Sequence, residues 1–421
     1  MTAPQRISLR PLSELAVEQV VRRLHRGELT VVSTNGIEHV YSGSEPGPIA
    51  RIELRTAAAT RRLITHGANG LAEGYLAGDW DTPDLDAVLD LGVRNMFSKP
   101  RGTPAPLNPV QRIMHSMRDN TPSGSKKNIS FHYDLGNDFY RLWLDETMTY
   151  SSALFAEKPA AGSDAGAGRS TGSGSATASE SSPTEDLASA QVRKWNRLLD
   201  LLQPGSQDHL LEIGCGWGGF AMHAAREAGC RVTGVTLSEE QHTWATQAVL
   251  EAGLEDRIDL RLQDYRHIPE KFSGVVSIEM FEAVGERWWP VFFERLKELL
   301  TPGGAIALQT ITIDNSRFDD YRRHPDFIQR HVFPGGMLPS SERFCAVATQ
   351  AGLHVDEPHF FGTSYVETLA EWRRRFEAAL PDVAALGFDE RFVRLWRYYL
   401  SYCRAGFSAG TCDVMQVRIE S

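Results

Sequence analysis

The stretch LLEIGCGWGGF, residues 210–220, holds residue types that could seat a nucleotide-like cofactor. An apolar run ends at Ile213, and Gly214, Gly216 and Gly218 follow at alternate positions behind Glu212 and around Cys215. Glycines there let the chain turn tightly and let a ligand lie against bare backbone. The helix expected to start near Gly219 would offer unpaired N–H groups beside that turn. The pattern reads E-x-G-x-G-x-G, which differs from the G-x-G-x-x-G of dinucleotide sites. The next apolar run, RVTGVTL, closes on Thr236, Leu237 and Ser238, with Gln241 placed as a partner for a ribose. A dinucleotide site wants an acid near that point; Glu239 and Glu240 are adjacent, so this test alone does not separate the two. The third run ends in LQDY, where Asp264 and Tyr265 could meet an adenine. Three successive strand ends, each carrying ligand-compatible groups, point to S-adenosylmethionine.

These groups need a sheet to hold them in register. HLLEIG, RVTGVTL, IDLRLQD, GVVSIEMF and AIALQTITI are short runs rich in β-branched residues, separated by helical patterns such as SEEQHTWATQAVLEAG. Strand–helix alternation predicts an α/β fold with a doubly wound parallel sheet, of the class I methyltransferase type. The amphipathic stretch LASAQVRKWNRLLDLL precedes it. Before residue 110 the signals differ: an early helical pattern (Leu12, Leu15, Val20, Leu24), strand-like LTVVS, HVYSG and ARIEL, and turns at Asn35-Gly36 and Pro46-Gly47. The acidic stretch GLAEGYLAGDWDTPDLDAVLDL lacks EF-hand spacing and reads as turn and helix-capping carboxylates; no metal site is expected. The chain therefore divides into an α+β unit over 1–110, a linker and aromatic lid segment over 111–155, an insertion over 156–185, and a cofactor domain over 186–421 whose C-terminal helices are expected to cover the acyl site. The insertion holds almost nothing apolar larger than Ala and is expected to be disordered.

Bulk properties exclude other classes. A net charge of −10 over 421 residues argues against a nucleic-acid coat. Residues 1–130 carry 16 Lys+Arg against 13 Asp+Glu, a mildly basic front that suits anionic lipid. Five scattered cysteines without CxxC spacing fit a reducing compartment. No signal-peptide core and no apolar run near 20 residues is present, so membrane contact is expected to be peripheral, on the inner face of the cytoplasmic membrane.

Several further motifs, in order, resemble one family: GYLAGDW (74–80), HYDLGNDFYRLWLD (132–145), MTYSSALF (148–155), EIGCGWGGF (212–220), VTLSEEQ (235–241), SIEMFEAVG (277–285), FPGGMLPS (333–340), YVETLAEWRRRF (365–376) and YYLSYCRAGF (398–407). It is that of the cyclopropane-fatty-acyl-phospholipid synthases, with the related mycolic acid and methyl-branched fatty acid methyltransferases. The resemblance spans nearly the whole chain outside the insertion. It implies transfer of a methyl group from S-adenosylmethionine to the cis double bond of an unsaturated acyl chain in a membrane phospholipid. The cation left behind loses a proton to a bound bicarbonate, and the ring closes to a cyclopropane. It implies Glu282 as the carboxylate that orients the bicarbonate, Tyr365 as a hydroxyl donor to it, Ile311 as a backbone contact, and Cys403 as a catalytic cysteine. Tyr150 and Ser151 match positions at the methionine end of the cofactor, and His132 and Tyr133 shape the same region. It also implies a lipid-binding, sterol-carrier-like N-terminal unit, membrane docking and homodimer contacts.

Two positions depart from the family pattern: Ser152 stands where many relatives have Cys, and Gln309 where they have His. Glutamine donates a hydrogen bond but cannot carry a proton near neutral pH. The departures leave open a product without ring closure, a 10-methylene chain that a partner reductase would convert to a 10-methyl (tuberculostearate-type) branch. For the acyl chain, Phe139, Tyr140, Trp143, Phe333, Met337, Tyr365, Trp372, Phe376, Trp396 and Tyr399 could line a slot, and Arg373–Arg375 could be a headgroup patch or a solvated face. A soluble small-molecule methyltransferase and a lipid carrier with a vestigial cofactor fold remain the competing readings. The lipid-type front unit speaks against the first, and the intact Gly214, Gly216, Gly218, Gln241 and Glu282 against the second.

Overall fold

The computed structural model describes residues 24–96, 135–156 and 185–421. The early helix, the linker, His132, Tyr133 and the insertion lie outside these residues. The N-terminal sheet has the order β2-β1-β3-β4, from β1 (Arg26–Val32), β2 (Glu38–Ser42), β3 (Glu45–Leu54) and β4 (Trp80–Asp81). Asn35-Gly36 forms the expected turn, with Gly36 at φ 84°. Pro46-Gly47, expected as a turn, instead lies within β3. A Cβ on Gly27 would sit 2.2 Å from the Pro48 carbonyl oxygen, so that glycine lets β1 and β3 approach where their register shifts. The acidic stretch is spent on local structure. Asp79 accepts from Thr56 (2.7 Å) and Arg62 (2.9 Å), and Asp84 accepts from the Ala87 N–H (2.9 Å) at the start of helix Leu85–Met96.

The larger sheet runs β10-β12-β9-β8-β5-β6-β7. Its parallel part comprises β5 (His209–Ile213), β6 (Arg231–Thr236), β7 (Ile258–Leu262), β8 (Phe272–Ile278) and β9 (Leu300–Ile313). β10 (His354–Val355), β11 (His359–Phe360) and β12 (Cys412–Glu420) add an antiparallel margin, with β12 paired along β9. This margin is absent from the sequence expectation. Val414, Met415, Gln416 and Val417 are all buried in a row, so β12 lacks the alternation that marks a half-exposed strand.

The aromatic segment is core rather than cover. Phe139, Tyr140 and Trp143 are fully buried, and Trp143 meets Trp372 and Trp396 edge-on at 5.5 and 5.6 Å. Such offset aromatic pairs add to plain area burial. Helix Glu390–Ser408, capped by the Asp389 side chain, joins the two halves of the molecule. Its Arg394 lies over the Tyr75 ring at 3.9 Å and donates to the carbonyls of Tyr75 and Trp80. Arg404 pairs with Asp86 (2.9 Å), and Arg94 reaches the Ser408 carbonyl (3.2 Å).

Candidate active site

A cavity of about 180 Å³ opens beyond the C-terminal ends of β5, β6 and β7. This is where open α/β sheets bind ligands. Tyr150, Ser151, Glu212, Gly214, Cys215, Gly216, Thr236, Leu237, Gln241, Asp264 and Tyr265 all line it. Two expected contacts do not. Gly218, at φ 86°, caps helix Gly219–Glu227, and the Ser238 side chain caps helix Glu239–Glu251 by accepting from the Gln241 N–H. Both shape the site from behind. A Cβ on Gly214 would press on Met280 at 3.0 Å. The Gln241 side chain is fixed by the Thr236 hydroxyl (2.9 Å), and both Asp264 oxygens are held by Arg266 (2.9 and 2.6 Å). Glu212 is 3 % exposed, and one of its carboxylate oxygens has no partner among the described residues. A buried acceptor left over in a glycine-lined cavity fits a ligand that brings a donor or a positive charge. These residues fit S-adenosylmethionine.

A second cavity of about 1450 Å³ adjoins the first. That exceeds the usual ~300–1,000 Å³ of small-ligand pockets. Glu282, Ile311, Tyr365 and Cys403 line it, together with Phe333, Met337 and Tyr399 from the expected acyl slot. Phe139, Tyr140, Trp143, Trp372, Phe376 and Trp396 do not line it; they are fully packed among one another, as aromatic stripes at helical spacing usually are. At its far end it meets His66, Asn69 and Arg94 of the N-terminal half. Arg373, Arg374 and Arg375 are engaged with Glu377 and Glu371 on their own helix, Gly362–Ala378, so they form ion pairs rather than an open patch.

Three residues line both cavities: Tyr150, Ala283 and Glu279. The sequence reading singled out Glu282 and passed over Glu279, three residues earlier in SIEMFEAVG. Glu279 follows the end of β8 and takes φ 50°, a left-handed conformation that costs a residue with a Cβ about 1 kcal/mol or more. Its carboxylate collects Tyr365, the hydroxyl that the resemblance assigns to an ion, together with the two residues that depart from the family pattern. The Ser152 N–H and Gln309 Nε2 both donate to Oε1 at 2.8 Å, and the Tyr365 hydroxyl donates to Oε2 at 3.1 Å. Ser152 and Gln309 are fully buried and line neither cavity. Glu282 accepts from the Ile311 N–H and the Thr310 hydroxyl, while its second oxygen has no partner among the described residues. Bicarbonate therefore does not fit these residues: the groups that would grip it already hold a carboxylate of the chain.

The electrostatics divide the two acids. Burial, reinforced by the Glu279 charge, pushes the Glu282 carboxyl up to about 8. Burial also raises Glu279, opposed by Lys194 and the three donors. Two such neighbours titrate as a pair. With three donors on one and an orphaned oxygen on the other, the negative charge rests on Glu279 and the proton on Glu282. Cys403 lines the large cavity, and burial drives its thiol well above the ordinary range.

The MTYSSALF loop is threaded between helices. The Ser151 carbonyl accepts from Gln191 (3.0 Å) and its hydroxyl from Lys194 (2.8 Å); the N–H groups of Ala153 and Phe155 donate to Thr368 and Ser364 (3.1 Å each). Gln191 and Lys194 were missed too. Their signal was two polar residues on the apolar face of LASAQVRKWNRLLDLL.

The family profile described as mycolic acid cyclopropane synthetase matches residues 121–417. A tuberculostearic acid methyltransferase of Mycobacterium tuberculosis is 38% identical over 366 residues, covering 86% of this chain and 81% of its own. The cyclopropane-fatty-acyl-phospholipid synthase of Escherichia coli K12 is 32% identical over 382 residues, covering 89% and 88%. Among solved structures, mycolic acid cyclopropane synthase CmaA1 complexed with SAH and CTAB is similar with a TM-score of 0.60 at 28% identity, covering 70% of this chain and 98% of that one.

Proposed function

The chain belongs to the mycolic acid cyclopropane synthetase family of S-adenosylmethionine-dependent methyltransferases, and we propose that it methylates the double bond of an unsaturated phospholipid acyl chain with Glu279 as its base. One observation carries this reading: Glu279 stands in the wall shared by the glycine-lined cavity and the large one.

When bound, S-adenosylmethionine supplies an electrophilic methyl group, and its transfer to an alkene leaves the acyl chain cationic with one proton to lose. The Glu279 carboxylate lies where it can stabilise that charge and accept that proton. Ser152, Gln309 and Tyr365 hold it in place, so it needs no bound anion to act. Tyr150, which lines both cavities, is joined hydroxyl to hydroxyl at 2.7 Å to Tyr399 of the large one. Among the described residues no helix is long and apolar enough to cross a membrane.

The product best supported is a methylene-branched chain. A hydride moves from the methylated carbon to its cationic neighbour, Glu279 takes a proton from the new methyl group, and that C–H pair becomes the exocyclic double bond. The likeness to the tuberculostearic acid methyltransferase favours this outcome, as does an in-built base where the resemblance implies an ion. A separate reductase would then saturate the branch. Ring closure at the same carboxylate is the second reading, favoured by the likeness to the E. coli synthase.

Incubating the protein with labelled S-adenosylmethionine and vesicles of a monounsaturated phospholipid tests both. The expected product is an acyl chain heavier by one CH₂ that oxidative cleavage still cuts at an alkene. A cleavage-resistant product would replace the branch by a ring; label confined to water-soluble products would refute lipid methylation.

A further inference from the structure

Lys194 is the one fully buried lysine among the described residues, and the reaction as derived does not use it. It sits on helix Leu187–Leu202 with its ammonium group 2.8 Å from the Ser151 hydroxyl and 5.9 Å from the centre of the Trp195 ring. Ser151 and Trp195 line the cofactor cavity; Lys194 stands behind them. Three acids face it from three elements: Glu212 at the end of β5, Glu279 after β8, and Asp145 from the segment before the MTYSSALF loop. Glu212 and Glu279 line the same cavity, and Asp145 is 2 % exposed. From β9 and β12 the nearest groups are the uncharged amides of Gln309 and Gln416, the latter donating to the Lys194 carbonyl.

We propose that Lys194 is a positioning residue that reads the charge of the cofactor: its ammonium balances the buried acids while the site lacks a sulfonium, and it gives up its proton when the sulfonium arrives. The inference rests on the assignment of this cavity to S-adenosylmethionine and is independent of the lipid. Two cations sharing one desolvated group of acids repel each other far more than they would in water. The sulfonium has no proton to lose, whereas the ammonium has. Burial holds Lys194 down to about 7 even with three acids facing it, so release to solvent is within reach at neutral pH. S-adenosylhomocysteine carries the same amino acid and nucleoside groups with a neutral sulfur, and it leaves Lys194 charged.

Calorimetric titration of the full chain with each of the two ligands tests this, in pairs of buffers of different ionisation heat at about pH 6 and about pH 8, either side of the Lys194 midpoint. The expected result is proton release with S-adenosylmethionine at the lower pH and affinity that weakens roughly tenfold from the higher pH to the lower, by the linkage of one proton to one ligand. S-adenosylhomocysteine should show neither. Lys194→Met should abolish the pH dependence. Lys194→Arg, whose charge is permanent, should bind S-adenosylmethionine weakly at both pH values and S-adenosylhomocysteine normally, which also reports an intact fold. Glu282→Gln should leave the dependence in place. Equal pH behaviour of the two ligands, or a dependence that survives Lys194→Met and disappears in Glu282→Gln, would overturn the proposal. Failure of the wild-type protein to bind either ligand would remove the cofactor assignment beneath it.

Discussion

Replacing Glu279 with glutamine is expected to lower lipid methylation by roughly 10²–10⁴-fold, the range that a positioned general base contributes. Affinity for S-adenosylmethionine should stay within a few-fold. The substitution keeps the shape of the side chain: with the amide oxygen in the place of Oε1, the Ser152 N–H and Gln309 side chain can still donate to it, and the Tyr365 hydroxyl can turn to accept from the amide N–H, so the fold around it has no reason to move. What is lost is the capacity to take a proton and to face a cation with a negative charge. Glu282→Gln should cost much less. Glu282 sits at about 8, so near neutrality it is already the neutral acid that glutamine imitates. The pH profile carries the same assignment. Burial raises Glu279, so the acid limb of turnover should fall at a pH above the ordinary carboxylate range. Initial rates with labelled cofactor and calorimetry on both variants check all three statements; equal losses in the two variants would contradict the division of roles.

The second large effect concerns stability. Arg394→Met should destabilise the protein by about 1–3 kcal/mol, because the buried Trp80 carbonyl loses its donor, while the Tyr75 carbonyl keeps the Gly78 N–H. Arg394 is buried, lies over Tyr75, and donates to the backbone of Tyr75 and Trp80. Methionine keeps the apolar stem but supplies no donor. Since the large cavity is completed by His66, Asn69 and Arg94, lipid methylation should fall more than cofactor affinity. A denaturation midpoint indistinguishable from wild type would contradict this account of the join.

The sequence made the cofactor cavity legible because its chemistry is local. Gly214 and Gly216 stand beside the strand that aims them, Thr236 and Gln241 repeat the arrangement one strand over, and Asp264 two strands over. Eleven of the expected cofactor residues line one cavity for that reason. Gly218 and Ser238 fell outside because a helix N-terminus next to a ligand uses polar and small residues equally for capping and for contact. The acyl site was less legible. Its aromatics come from helices far apart in sequence, and helical spacing does not say which side of a helix meets a void. Thus Tyr399 lines the cavity while Trp396, one turn earlier, is core. The base was hidden for another reason. Ser152 and Gln309 could be seen as departures, but the residue that explains them was visible only once β8, β9 and the MTYSSALF loop had brought all three together. Residues 157 apart in the chain, Ser152 and Gln309, meet on one carboxylate. Strand β12 escaped because burial on both faces erases the alternation that identifies a strand.

The dependence of turnover on bicarbonate tests the central claim most directly. With phospholipid vesicles in buffer stripped of carbon dioxide, the wild-type protein should methylate at its full rate, and added bicarbonate should change nothing. The same titration on Glu279→Gly, where the Ser152, Gln309 and Tyr365 donors are left without their carboxylate, should show a low rate that bicarbonate raises. A wild-type rate that collapses without bicarbonate and returns with it would show that an ion, and not Glu279, is the base.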